Sequence, residues 1–114
     1  MKNIREINLE LGRPTVDIAL RRLESELRAA KAMHAPALKI IHGYGSSGKG
    51  GKIRTACRTY LRQMQESGQI RNVIRGEDFS LFSEATRQAF RVCDALRRDS
   101  DLDNYNNGIT FVIF

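Results

Sequence analysis

Ala37-Leu38-Lys39-Ile40-Ile41-His42-Gly43-Tyr44-Gly45-Ser46-Ser47-Gly48-Lys49-Gly50-Gly51-Lys52 decides how the rest of the chain reads. Its first five residues form a mostly apolar run of strand length between Pro36 and His42-Gly43. Residues 42–51 hold five glycines, a backbone that can take positive φ and approach a ligand closely. Beyond them Ile53, Cys57, Tyr60/Leu61 and Met64 recur at helical spacing from about Lys52 until Gly68, a helix-ending signal. A strand, a glycine loop and a helix in that order direct the helix's first N–H groups at the loop, where they favour an anion. Lys49, Lys52 and Arg54 add positive charge at the same place.

Working outward, Ile7, Leu9 and Leu11 alternate as a strand within residues 4–11, which Gly12-Arg13-Pro14 ends. Thr15 then caps a helix whose stripe runs through Val16, Leu20, Leu23, Leu27 and Ala30 to about Ala32, and Pro36 prevents its continuation. Downstream come a short strand over Ile70–Arg75, a turn at Gly76-Glu77-Asp78 and a helix from about Ser83 to Arg98. A polar loop over 99–108 and a closing strand, Ile109–Phe114, complete the order. The sequence β-α-β-α-β-α-β implies an α/β fold, a small two-layer sandwich with right-handed crossovers, in one domain over residues 1–114. The direction of the last strand stays open.

The charge is uneven. Residues 1–76 carry 15 Lys and Arg against six Asp and Glu, a net of +9, whereas residues 77–114 carry four against seven, a net of −3. Between Lys39 and Gln65 there are six cations and no carboxylate, and 14 of the 19 cations are Arg, whose planar fork grips phosphate bidentately. Nucleic acid is the first candidate partner for such a surface. No apolar run approaches the roughly 18 to 20 residues that cross a bilayer, so no membrane partner is expected, and a cytoplasmic location is. Cys57 and Cys93 stand in helical apolar patterns and read as buried free thiols; no His, Cys, Asp and Glu spacing suits a structural metal.

As text, the loop satisfies two nucleotide patterns. Gly43-Tyr44-Gly45-Ser46-Ser47-Gly48 is a GxGxxG, but it opens the second βα unit and 114 residues leave no second half for a dinucleotide. Gly43-x4-Gly48-Lys49 follows the P-loop pattern until Gly50 takes the place of the magnesium-binding Ser or Thr. A P-loop-like nucleotide-phosphate-binding protein therefore stands as an alternative.

A third reading uses more of the chain. His42-Gly43-Tyr44-Gly45 after an Ile-Ile strand resembles the HGxG motif of the Smr (small MutS-related) family. Ile7-Asn8-Leu9-Glu10-Leu11-Gly12, followed by Thr15-Val16-Asp17 and the leucine-patterned helix, is similar to that family's opening LDLHG and TVEEA segments. Gly108-Ile109-Thr110-Phe111-Val112-Ile113 is similar to its terminal strand, and residues 77–107 look like an enlarged connection with an extra helix.

The resemblance implies a fold like the C-terminal domain of translation initiation factor three. It also implies binding of DNA or RNA and, in active members, nicking or RNA-cleaving endonuclease activity. Asn8 stands where the family has Asp, and Glu10 where it has His. Asn is no general base, and Glu cannot supply the acid that His offers near neutral pH. The expectation is thus a phosphate-backbone binder with weak or lost cleavage. Gly43, Tyr44, Gly45, Ser46, Ser47, Gly48, Lys49, Lys52, Arg54 and Arg58 are its binding residues, and His42 and Glu10 its candidate catalytic pair. No cofactor is expected beyond a divalent metal if the chain is a nuclease. A docking module for a ribosome or repair complex is the remaining alternative.

The bland readings are specific. His42 at a strand end can instead hydrogen-bond the loop backbone, and Tyr44 can stack on a base or pack back on the sheet. Arg62 can be a solvated face, His34 a surface turn residue, and Tyr60 part of the core.

Overall fold

In a computed structural model, which describes residues 4–44 and 50–114, four strands form one mixed sheet and three α-helices pack on it. The order is β1 (Arg5–Asn8), α1 (Val16–Ala32), β2 (Ala37–Ile41), α2 (Gly50–Glu66), β3 (Asn72–Arg75), α3 (Glu84–Val92) and β4 (Ile109–Ile113). The α/β class and the alternating order are those expected from the sequence.

Across the sheet the strands lie β1-β2-β4-β3. β1 runs parallel to β2, with Ile7 opposite Ile40, while β4 runs antiparallel to both β2 and β3. The direction left open by the sequence is thus settled. The sheet is mixed, unlike the mostly parallel sheet on which dinucleotide folds are built.

Alternation along the strands divides the apolar residues between the two faces. Leu38, Ile40 and Val112 join Leu23, Leu27, Ile53, Cys57 and Leu61 in a core beneath α1 and α2. Ala37, Phe111 and Ile113 join Phe79, Ala89, Phe90 and Leu96 in a second core beneath α3. The two-layer sandwich of sheet, α1 and α2 is present, and the segment between β3 and β4 adds a cover on the opposite face.

Local chemistry accounts for most boundaries. Thr15 Oγ1 accepts from the Ile18 N–H at 3.3 Å, and Asp17 complements the dipole in the first turn of α1. β1 ends three residues earlier than its alternation suggested: Asn8 Oδ1 accepts from the Glu10 N–H at 2.9 Å, which turns the chain and leaves Leu11 65% exposed. The third helix is also shorter. Cys93 is extended (φ −141°, ψ 95°), and the chain resumes as a 3-10 turn over Asp94–Arg98 that turns Leu96 into the lower core.

The polar loop over 99–108 is tied down. Lys39 Nζ, on β2, lies 3.0 Å from Asp99 and 2.6 Å from Asp101, and Asn106 donates to Asp101 at 3.0 Å. Burial works against the Lys39 charge, but its hydrogen bonds to Asp101 and Asp99 outweigh it and raise its pKa.

Candidate nucleic-acid interface

Just past the end of β2 the chain places His42, wholly buried. His42 Nδ1 lies 2.8 Å from the Gly43 carbonyl and Nε2 2.8 Å from Thr110 Oγ1 on β4. A carbonyl only accepts, so these partners assign the proton to Nδ1, and Nε2 accepts from the Thr110 hydroxyl. Thr110 Oγ1 in turn accepts from Arg58 Nε at 3.0 Å. The Arg58 guanidinium also donates to both oxygens of Glu77, at 2.9 and 2.7 Å, and to the Ile109 carbonyl at 3.1 Å.

Bonds run unbroken along Glu77–Arg58–Thr110–His42–Gly43, and no buried side-chain polar atom among the described residues lacks a partner. Burial pushes the His42 pKa down to about 4; the Gly43 carbonyl resists, and the Arg58 and Arg54 charges reinforce the fall. Burial opposes ionisation of Glu77, yet the bonds to Arg58 hold its carboxyl below the ordinary value.

This geometry separates residues that the sequence grouped. His42, neutral with both ring nitrogens committed, fixes the backbone at the loop's entry, the bland role named for it. Arg58 is half-buried and its fork holds Glu77 and β4, so it positions the site from within instead of facing solvent. Lys52 and Arg62 are exposed and Arg54 is half-buried on α2, and none of them joins an ion pair among the described residues. Gly45, Ser46, Ser47, Gly48 and Lys49 lie outside the described residues.

Glu10 is exposed and reaches the same corner. Gly43 has φ +75°, and a Cβ there would collide with the Glu10 carboxylate. Glu10 and His42 thus both lie against Gly43, with His42 buried and Glu10 exposed. Asn8, whose amide oxygen caps the turn toward Glu10, acts on the backbone. Tyr44 is 57% exposed with its ring edge at the Gly108 backbone, where a Cβ would stand 3.1 Å from it.

Tyr60 packs against the upper core, and His34 is an exposed turn residue with φ 56°. Cys57 and Cys93 are free and buried, and burial pushes the Cys57 thiol up to about 12. Among the described residues no group of three His, Cys, Asp or Glu side chains converges as a metal site would, and no helix is long and apolar enough to cross a membrane. Glu77 and Thr110 are the functional neighbours that sequence reasoning missed. Thr110 stood in the terminal-strand motif, but only the sheet register, which sets it opposite Ile40 and Arg75, brings it to His42.

A family model, the Smr domain, matches residues 9–78, from the turn after β1 through β3 and the 3-10 turn that follows it. In the solved structures, the chain is similar to the crystal structure of the Smr domain of Thermus thermophilus MutS2. The two are 21% identical, with a TM-score of 0.57 over 96% of this chain and 95% of that one. No curated protein gives a significant match. The fold is shared with that domain, and the chain belongs to the Smr family, which is known for nucleic-acid binding and nicking.

Proposed function

We propose that the chain binds the phosphate backbone of nucleic acid through the outer face of α2 beside the glycine loop, with no general acid or base supplied by His42. The observation that carries this reading is the division of charge on α2. Arg58 is consumed internally, whereas Lys52, Arg54 and Arg62 point charge outward from a helix that holds no carboxylate until Glu66. A positive N-terminal dipole at Gly50 supports the same preference. A buried neutral imidazole with its pKa near 4 cannot protonate a leaving group near neutral pH. Glu10, exposed at the loop entry, is the carboxylate left to act as a base, so any cleavage depends on Glu10.

The test is affinity for duplex DNA against salt. Neutralising about three phosphates gives a slope of log K on log salt of about −3. The double substitution Lys52→Ala/Arg54→Ala is expected to flatten it by about 2. A flat dependence in the unaltered chain overturns the reading. A nicking assay with Glu10→Gln and His42→Gln completes it: loss of cleavage only in His42→Gln overturns the assignment of His42.

A further inference from the structure

A second feature lies outside the loop, on the side of the edge strand β3. A groove of ≈ 760 Å³ runs between the C-terminal half of α2, β3 and the segments carrying Phe82 and Tyr105, and Arg62 and Arg75 stand along it. Phe82 is 88% and Tyr105 70% exposed, an unusual state for two rings on one groove. Phe82 precedes the Ser83 cap of α3, the position from which an apolar residue commonly packs back on its helix, yet it stays in solvent.

The rings are held out by structure. Asp103 N–H donates to the Phe79 carbonyl at 2.9 Å, and Leu81 N–H to Asp103 Oδ1 at 3.1 Å, so the two ring-bearing segments are stitched together. Tyr105 has φ 53°, a left-handed backbone that an aromatic residue rarely adopts.

Charge identifies the occupant. The carboxylates on the groove are spoken for: Glu77 by Arg58, and Asp78 by Arg75 at 2.7 Å. Arg62 remains uncompensated among the described residues and lines both this groove and the outer face of α2 with Arg54. A phosphate backbone following α2 is thereby led into a groove walled by aromatic faces. A duplex keeps its base faces stacked inside and has none to offer them, whereas an unpaired strand does.

We propose that this groove is a base-stacking site for single-stranded polynucleotide, with Phe82 and Tyr105 taking base faces and Arg62 an adjoining phosphate. The inference rests on the backbone-binding reading above and adds the form of nucleic acid that is preferred.

Fluorescence anisotropy of the full chain with four labelled ligands tests it: an oligothymidylate, an oligouridylate, an abasic phosphodiester strand of the same length and a duplex. The unaltered chain is expected to bind at least one base-bearing strand about tenfold or more tighter than the abasic strand. Phe82→Ala with Tyr105→Gly should abolish that preference and leave duplex affinity within about twofold. Glycine suits the left-handed backbone at 105, so the melting temperature should hold or rise and loss of fold is separable from loss of binding.

Equal affinity for base-bearing and abasic strands overturns the stacking site while leaving backbone binding intact. So does a pair of substitutions that changes only self-association in sedimentation, which would make a second copy the occupant. Absence of binding to all four ligands overturns both readings together.

Discussion

Thr110 shows how much a single residue can decide. Its hydroxyl accepts from Arg58 and donates to His42, so it holds the imidazole in one tautomer, while burial keeps the ring neutral. The consequence is a pH dependence with a definite sign. His42 titrates near 4 in the fold and near 6.5 in the unfolded chain, so between those values the unfolded chain binds more protons and stability rises with pH. The contribution is complete above about 6.5 and is lost as pH falls toward 4, to a total of about 3 kcal/mol. Urea unfolding across that range should show the slope, and His42→Gln should remove most of it. The sequence made His42 visible, because a His between a strand and a glycine is conspicuous, but its role depended on a partner 68 residues away. The internal partners of Arg58 were hidden for the same reason. Arg58 shares a helical ridge with Arg54 and Arg62, and only the position of Glu77 separates it from them.

Among the elements, helices were more legible than their ends. Caps with short-range chemistry, Thr15 and Ser83, could be read or nearly so, since donor and acceptor lie three residues apart. The end of β1 could not, because the alternation through Leu11 was real while the Asn8 turn that breaks it is a local hydrogen bond competing with the ladder. The loop over 99–108 was legible as polar but not as anchored. Its anchor, Lys39, sits in the middle of an apolar strand and is about one-tenth exposed beside Asp99 and Asp101. Removing one member of a buried ionic cluster leaves the others uncompensated. Lys39→Met is therefore expected to cost about 3 kcal/mol or more in chemical denaturation. Asp99→Asn, which leaves Asp101 paired, should cost distinctly less.

At the scale of the molecule, β4 is the member that joins the sheet. β2 and β3 make no pairing with each other; each bonds to β4, whose five residues are all buried. Val112 lies in the upper core and Phe111 in the lower, so this strand also couples the two apolar clusters. Val112→Ala should cost about 2 kcal/mol and lower amide-exchange protection in β2 and β3 together. Loss confined to β3 alone would contradict that coupling. The class of fold and the order of elements were legible from periodicity, whereas the direction of β4 was not, since a buried strand presents the same apolar run either way.

That arrangement also sets an itinerary for folding. The strand needed last by position along these 114 residues is needed first by topology, because without it β3 has no ladder and β2 keeps an open edge. β1, α1, β2 and α2 can gather early through near-neighbour contacts, but half of the sheet must wait for partners distant in sequence. During that wait the chain carries an unpaired strand with buried-type side chains, the form in which α/β domains associate with the wrong neighbour. The short, twice-paired strand that completes the native sheet is therefore also the one whose late arrival leaves the chain open to misassembly.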